Sequence, residues 1–307
     1  MVSQEAYPDI RLEREVHTLI RHGYKVTFVG KLRDRRGLVF GKKYENFKCI
    51  EVHIPSLVYS LLEPWLSRSV RRIKGILKRL RPDVVLAINP IAGIIVDRIG
   101  VPMAIDNREY FYHKVKYNPL FGIEGMALLR RFRYMMGTIR RRWIYRVRLI
   151  EVKLAERHPM IFPSPEAKQD FCCRFDINDS GVFVLKNYPS ITEIRDIKTI
   201  KVRKNVSFIY VRIDLPSQPP SRNLNTTVNV LCSLANKYKV EVLVAGINYD
   251  VACFHGIGWL SLNELYEMLA SVDYGLVSWD PHYIHWYFSP VKAYQYAVSG
   301  CVPVITD

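Results

Sequence analysis

The chain has 307 residues and a formal net charge of +16, with 49% apolar and 24% charged residues. This composition excludes a disordered chain, and the apolar runs, interrupted by Asn and Pro, are too short for a membrane-spanning protein. The length allows two domains, and the opening MVSQEAYPDI lacks the basic start and apolar core of a signal peptide, so we expect a cytoplasmic protein.

Helices and strands alternate along the first 190 residues. Apolar periodicity predicts a helix that ends at Gly23, a strand over 25–29 and a second helix within 67–81. The later predicted elements are a strand over 82–88, a helix over 92–100, a strand over 101–106, a long helical region to about His158, a strand over 159–164, a helix from Pro165 and the segment 181–190. Strands separated by helices indicate a mostly parallel sheet covered on both faces.

The alternation restarts after a polar connector over 191–205. The predicted elements are strands over 206–212, 239–246 and 274–279, helices over 224–238 and 261–272, and a closing helix and strand. We therefore expect two similar α/β domains, 1–190 and 191–307. Because open parallel sheets bind ligands beyond the carboxyl ends of their strands, we expect the functional residues there.

The closing stretch SPVKAYQYAVSGCVPVITD, residues 289–307, predicts a helix followed by a strand. Ser289 is suited to cap the helix, Pro290 to its first turn and Gly300 to its end. The apolar stripe expected to face the core consists of Val291, Tyr294 and Val298. The run over 302–305 predicts a buried strand.

The six cysteines, at positions 49, 172, 173, 232, 253 and 301, show no zinc-binding spacing. We interpret them as small buried hydrophobic residues in a reducing compartment. His282 and His285 lie close in sequence but have no carboxylate at ligand spacing, so we expect no bound metal.

Two segments concentrate the positive charge. Residues 67–81 carry seven basic side chains, and residues 128–148 carry eight arginines interleaved with aromatic residues. Each segment suits a helix lying on an anionic membrane, or an amphipathic helix with a solvated basic face. For 67–81 both interpretations stay open, whereas the aromatic residues of 128–148 favour the membrane surface. The chain shows no nucleic-acid-binding motif, so we expect no nucleic acid partner.

Five stretches, in order, resemble the GT-B glycosyltransferases, in particular the retaining family-4 group. They are YPDIRLEREVHTLIRHGYKVTFVG, GVPMAIDNREYFY, RLIEVKLAERHPMIFPSPEAKQDF, VLKNYPS, and WLSLNELYEMLASVDYGLVSWD followed by the closing stretch. The resemblance implies two Rossmann-like domains facing across a cleft, with the acceptor side in 1–190 and the nucleotide-sugar site in 191–307. It also implies a first strand before Met1 and further structure after Asp307, so we expect a chain that is incomplete at both ends or an unusually pared-down member of the group.

The resemblance implies transfer of a sugar from a UDP- or GDP-linked donor to an acceptor hydroxyl, with retention of configuration and no bound cofactor. Its donor site uses the N-terminus of the closing helix, where N–H groups and the helix dipole favour the leaving diphosphate. The donor-binding candidates that this places in the chain are Ser289, Lys292, Gln295, Ser299 and Arg222. Many members of the group carry two donor-site glutamates, and here Tyr287 and Gln295 stand at those positions.

Candidates in the first domain follow the strand that ends near residue 106. Asp106 and Glu109 either orient or deprotonate an acceptor hydroxyl, or cap the next helix. Arg108 stands nearest to the position of a histidine that members of the group often carry beside the reacting sugar, with His113 further on. In the loop before the closing helix, the side chains suited to shape a sugar pocket are Tyr283, His285 and Trp286.

These patterns favour a cytoplasmic, membrane-peripheral glycosyltransferase that acts on a glycan or a lipid-linked acceptor and contacts anionic membrane through 128–148. Two alternatives stay open. One is a degenerate GT-B protein that no longer binds the donor and serves as a membrane-bound glycan-binding or partner subunit. The other is a sugar-nucleotide epimerase of the same fold, which would need clustered carboxylates and histidines that the sequence does not display.

Overall fold

The computed structural model describes residues 1–3, 5–7, 9–32, 45–54, 63–117, 133–190, 193, 206–211, 224–248, 250, 253–277, 287 and 289–305. The chain divides into two compact units. The first contains Met1–Lys186 and Trp286–Phe288, and the second contains Asn187–His285 and Ser289–Asp307. The main boundary thus lies a few residues before the expected one at 190, and a short later segment joins the first unit.

The first unit is a parallel sheet with helices. Its described strands are β1 (Val2–Ser3), β2 (Val26–Gly30), β3 (Phe47–Glu51), β4 (Val85–Ile88), β5 (Met103–Asp106), β6 (Met160–Phe162) and β7 (Val182–Val184). Its described helices are α1 (Ile10–Arg21), α2 (Glu63–Leu80), α3 (Asn89–Asp97), α4 (Phe111–Tyr117), α5 (Arg133–Ala155) and α6 (Pro165–Phe175). The strand order is β3-β2-β1-β4-β5-β6-β7, and all pairs are parallel.

The first strand, expected before Met1, lies at least in part within the chain. Val2 and Ser3 form β1, which pairs with β2 on one side and with β4 on the other. Periodicity could not detect a strand of two residues, because its identity as a strand comes from the two neighbours that hydrogen-bond to it. The order of the strands reverses at β1 and β4, so these two strands form the switch point of the sheet.

Three helices of the first unit form one layer on the sheet. The helix α2 packs against α3, and α3 packs against α5. Ile73 of α2, Ile95 of α3 and Leu154 of α5 are buried in the same core. Right-handed crossovers place α1 on the opposite face, because the chain moves from β1 to β2 in the reverse direction along the sheet.

The second unit contains a smaller parallel sheet. Its described strands are β8 (Ser207–Val211), β9 (Glu241–Ala245), β10 (Phe254–Gly256), β11 (Tyr274–Val277) and β12 (Val302–Ile305), in the order β10-β9-β8-β11-β12. Its described helices are α7 (Leu224–Tyr238), α8 (Leu262–Ser271) and α9 (Val291–Val298). The strand β10 has no counterpart in the sequence-based prediction, because its three residues are too few for an apolar pattern. Both units therefore confirm the expected α/β class.

The closing helix and strand form, but their expected burial is wrong. Pro290 precedes α9 without a side-chain cap, so Ser289 does not cap the helix. The face packed into the core contains Ala293 and Tyr296, while Val298 of the expected stripe is 41% exposed. The strand β12 lies at the sheet edge, where Val302, Val304 and Ile305 are exposed. An apolar pattern gives the period of a helix but does not choose between two faces that both carry apolar residues.

The cysteines also differ from the expectation of six buried thiols. Cys232 of α7 and Cys253 beside β10 form a disulfide. Cys301 is buried, whereas Cys173 is exposed. The two bonded cysteines are 21 residues apart, and this spacing did not predict a disulfide. Only the fold brings α7 next to the end of the β9–β10 connection.

No helix in the described parts of the chain is long and apolar enough to cross a membrane.

Candidate functional site

The switch point of the first sheet carries two polar side chains. Glu5 follows β1 and Asn89 begins α3 directly after β4. The Nδ2 of Asn89 donates to Oε1 of Glu5 at 2.8 Å, which joins the carboxyl ends of the two strands. Asn89 is 2% exposed and has a φ of 69°, in the left-handed region that Asn adopts more readily than most residues. Its Oδ1 has no hydrogen-bond partner in the described part of the chain.

Beside this pair, Arg108 gathers four carboxylates. Its Nε donates to Asp106 at 2.7 Å, and its Nη2 donates to Glu15 at 2.8 Å. Its Nη1 donates to Glu5 at 2.8 Å and to Asp9 at 3.3 Å. These carboxylates come from the end of β5, from α1 and from the connection between β1 and α1. One guanidinium thus links three chain segments at the carboxyl edge of the sheet.

A second guanidinium completes what we call the Arg108 network. Arg11 donates to Asp106 at 2.7 Å and to Glu15 at 3.2 Å. The network consists of Glu5, Asp9, Arg11, Glu15, Asp106 and Arg108. Its four carboxylates outnumber its two guanidiniums, so the site favours retention of a proton or the approach of hydrogen-bond donors.

The electrostatics of the network follow from burial and this excess of carboxylates. Burial raises the pKa of Glu15 to about 7, although Arg108 favours its anionic form. Burial also raises the pKa of Glu5 against the attraction of Arg108, and the neighbouring Glu109 carboxylate raises it further. Burial disfavours the charged form of Arg108, but Glu15 and the other carboxylates outweigh this effect and raise the pKa of the guanidinium.

Exposure separates the members of the Arg108 network. The side chains of Asp106 and Arg108, two expected catalytic residues, are 1% and 5% exposed. Those of Glu5 and Asp9 are 32% and 35% exposed. Glu109, the third expected catalytic residue, is partly buried and close enough to act on Glu5. Sequence analysis did not identify Glu5 and Asp9, because the strand before them was not recognised; a strand at Val2 would have placed both at a carboxyl edge.

In the second unit, Lys292 lies at the carboxyl end of the central strand. Its Nζ donates to the backbone oxygen of Val211, the last residue of β8. The Nζ also lies 5.6 Å from the centroid of the Tyr210 ring. The order of the second sheet changes direction at β8 and β11, so Lys292 occupies the edge where open parallel sheets bind ligands.

The other donor candidates on α9 are placed differently. Gln295 and Ser299 are both buried, and the Ser299 hydroxyl donates to the backbone oxygen of Gln295 at 2.8 Å. Ser289 donates to the hydroxyl oxygen of Tyr294 at 3.4 Å and accepts no hydrogen bond from the N–H groups at the start of the helix. Among the described donor candidates in the second unit, Lys292 is therefore the side chain at the sheet edge.

Tyr287 belongs to the first unit, although it stands five residues before Lys292 in the sequence. Its ring stacks on His113 with centroids 4.1 Å apart and meets the edge of Tyr110 at 5.6 Å. Its hydroxyl donates to Asp170 at 3.3 Å, and Asp170 also accepts from His113 at 2.8 Å. Burial lowers the pKa of His113 to about 4, so that neutral imidazole donates this bond at neutral pH. The described contacts of Tyr287 thus lie within the first unit, and its role in donor binding stays a prediction.

Four expected site residues lie outside the described part of the chain, namely Arg222, Tyr283, His285 and Trp286. A search of the described residues finds no cluster of His, Cys, Asp and Glu side chains arranged to hold a metal ion.

The sequence matches no protein-family model and no curated protein. The structure, by contrast, is similar to solved glycosyltransferases. An α,α-trehalose 6-phosphate synthase from Burkholderia multivorans matches with a TM-score of 0.61 and 12% identity, over 99% of this chain and 83% of that one. WaaG, a glycosyltransferase involved in lipopolysaccharide biosynthesis, matches with a TM-score of 0.57 and 12% identity, over 99% of this chain and 80% of that one. The chain therefore has the GT-B fold that the sequence predicted.

An enzyme of another class is also similar. A putative UDP-N-acetylglucosamine 2-epimerase from Listeria monocytogenes matches with a TM-score of 0.51 and 11% identity, over 90% of this chain and 73% of that one. Its lower TM-score and smaller coverage make it less similar than the two glycosyltransferases.

Proposed function

We propose that this GT-B chain is a glycosyltransferase that moves a sugar from a nucleotide-diphosphate donor to a hydroxyl of a glycan or lipid-linked acceptor. The observation that carries the proposal is the position of Lys292, at the carboxyl end of the central strand in the second sheet of a GT-B fold. The glycosyltransferases among the similar structures support the general enzyme class.

The donor half of the reaction needs positive potential rather than a nucleophile. The leaving diphosphate carries negative charge, and Lys292 in the first turn of α9 supplies a full positive charge beside the helix N-terminus. The carbonyl of Val211 and the ring of Tyr210 hold the ammonium group at the sheet edge. Arg222 adds a second positive charge for the diphosphate in this proposal, and the nucleotide base is uracil or guanine.

The acceptor half uses the Arg108 network. Glu5 and Asp9, its two most exposed carboxylates, accept hydrogen bonds from acceptor hydroxyls and favour their deprotonation. The pKa of Glu5, raised by burial, brings this carboxylate closer to the range of a general base. Arg108, itself held by Asp106, positions these carboxylates. The Oδ1 of Asn89, without a partner among the described residues, supports a ligand that carries hydrogen-bond donors.

Configuration is retained in the proposed reaction, as the resemblance to the retaining group implies. We place the protein in the cytoplasm, at the inner face of the cell membrane, with the exposed part of 128–148 against anionic lipid. Tyr145, Arg146 and Arg148 of this segment are exposed, which supports that contact.

A subunit that binds glycans or a partner protein without catalysis is the second candidate function. Two observations favour this non-catalytic function. Gln295 is buried and Tyr287 stacks on His113 in the first unit, so in this alternative neither side chain binds the donor. The epimerase alternative has less support, because the epimerase among the similar structures has a lower TM-score and covers less of this chain than the glycosyltransferases do.

Calorimetric titration with UDP, GDP and their common sugar conjugates tests the proposal. Binding of one nucleotide, together with release of that nucleotide from its sugar conjugate that depends on an added glycan or lipid-linked acceptor, would establish a donor site and a transferase. A folded protein that binds none of these compounds would remove the enzyme proposal and leave the non-catalytic function.

A further inference from the structure

The exposed face of α2 is rich in basic side chains over residues 68–81. Seven side chains of this helix and its C-terminal neighbour are exposed, and we call them the basic face of α2: Arg68, Arg71, Arg72, Lys74, Lys78, Arg79 and Arg81. At 100° per residue they cover about half of the helix circumference, opposite the buried Ile73 and Ile76. Gly75 lies in the middle of the face, and a Cβ added there would meet nothing within 4 Å, so the space in front of the helix is open.

Acidic side chains from the described part of the chain do not pair with most of this face. No acidic residue occurs between 67 and 81 in the sequence. Arg72 donates to the backbone oxygen of Glu51 at 3.4 Å, and none of the six residues from Arg71 to Arg81 forms an ion pair with a described residue. Like charges one turn apart on a helix repel each other, so an anionic partner would be favoured on this face.

The helix α5, beyond α3 in the same layer, adds apolar side chains on the same side of the sheet. The helices α2 and α5 flank α3 in one layer. On α5, Tyr145 is 58% exposed and Leu149 is 36% exposed, one turn apart, and the adjacent Arg146 and Lys153 are exposed as well. Aromatic and aliphatic side chains between basic residues suit the boundary between lipid headgroups and acyl chains.

We infer that the basic face of α2 binds an anionic phospholipid surface, with Tyr145 and Leu149 of α5 entering the headgroup region. Charge complementarity selects the anionic lipid, and the exposed apolar pair favours a membrane over a purely ionic partner such as nucleic acid. The inference rests on the membrane-peripheral part of the proposed function and is independent of the transfer reaction. It assigns to α2 a contact that the sequence alone left open between a membrane surface and a solvated face.

Sedimentation with lipid vesicles tests this inference. The probes are phosphatidylcholine vesicles with and without about 30% phosphatidylglycerol, at about 50 and about 500 mM NaCl. The variant Arg71→Gln/Lys74→Gln/Lys78→Gln removes three charges from one stripe of α2. The matched control Arg21→Gln/Lys25→Gln/Lys48→Gln removes three exposed charges that lie outside the α2–α3–α5 layer. Circular dichroism confirms that both variants fold.

We expect the unchanged protein to sediment with anionic vesicles and to stay in the supernatant with neutral vesicles. It should dissociate from the anionic vesicles at the higher salt concentration. Because each basic residue near an anionic surface contributes about fivefold to partitioning, the α2 variant should bind about a hundredfold more weakly. The control variant should lose at most a few-fold.

Three outcomes would overturn the inference: equal binding to neutral and anionic vesicles, equal losses in both variants, or tighter binding to duplex DNA of matched charge than to vesicles, abolished in the α2 variant. The last outcome would assign the face to nucleic acid. Titration of the same samples with UDP and GDP separates this inference from the proposed function. A protein that binds no nucleotide would count against the proposed transfer reaction and leave the membrane contact of α2 standing.

Discussion

Asp106 and Arg108, two residues apart at the end of β5, form a buried ion pair in which the Arg108 Nε lies 2.7 Å from Asp106 Oδ2. The same guanidinium also holds Glu5, Asp9 and Glu15. The carboxyl edge of the first sheet therefore depends on one side chain, and removal of that side chain leaves Glu5 and Asp9 without their counter-charge.

The substitution Arg108→Met should lower the free energy of unfolding by about 3–5 kcal/mol, because breaking a buried ion pair leaves uncompensated charge. Urea denaturation at neutral pH measures the loss. The control is Arg98→Met at the exposed end of α3, which should change stability by less than about 0.5 kcal/mol. Similar losses in the two variants would contradict the central position of Arg108.

Glu151 predicts a pH dependence of stability. Burial raises the pKa of this fully buried carboxyl to about 8 from an ordinary value of 4.5, although the side chain of Asn107 and the N–H of Tyr112 donate to it. Between these two values the folded state binds a proton that the unfolded state releases. The contribution of Glu151 is therefore complete below about pH 4.5, and the free energy of unfolding should fall by up to about 1.4 kcal/mol per pH unit as the pH rises towards 8.

Urea denaturation at several pH values across this range measures the slope. The variant Glu151→Gln should make the slope shallower and leave the part due to Glu15, whose pKa is also raised by burial. Glu156→Gln, at an exposed position beyond the same helix, should leave the slope unchanged. A slope in Glu151→Gln equal to that of the unchanged protein would show that another group binds the proton.

The substitution Lys292→Ala should raise the dissociation constant of the preferred nucleotide diphosphate about tenfold, or about 1.4 kcal/mol. The physical reason is the loss of a positive charge beside the helix N-terminus, where the diphosphate is proposed to bind. Calorimetric titration measures the change, with Lys237→Ala on α7 as the control. Unchanged affinity in Lys292→Ala would move the donor site away from α9.

A glycine of β11 permits the packing of α9. A Cβ at Gly275 would lie 2.4 Å from the ring of the buried Tyr296. Gly275→Ala should therefore destabilise the protein by about 1–3 kcal/mol through overpacking. Gly75→Ala, in open space on α2, should instead stabilise it by about 0.5–1 kcal/mol, because alanine favours a helix interior. Thermal unfolding measures whether each substitution raises or lowers the stability. Destabilisation by both substitutions would contradict this account.

The order and kind of most helices and strands could be predicted from the sequence by itself. The apolar period of Leu12 and Val16, the strand run ending at Ile88 and the strand run ending at Asp106 are local patterns, and local patterns decide helix or strand when the segment is long enough. The order of the five family-like stretches predicted the GT-B fold, which the similar structures confirm. The basic residues of 67–81 were also visible in the sequence.

The tertiary structure alone decided which residues meet. The strand β1 is too short to have a pattern, and it becomes a strand because β2 and β4 hydrogen-bond to it. The pairing of β1 with β4 brings Glu5 beside Asn89, which lies 84 positions later in the sequence. The capture of Tyr287 by His113 and Asp170 likewise joins residues far apart in the chain. Such contacts depend on long-range packing, which composition and periodicity do not encode. For this reason the partly exposed carboxylates of Glu5 and Asp9, at the carboxyl edge of the first sheet, emerged only from the fold.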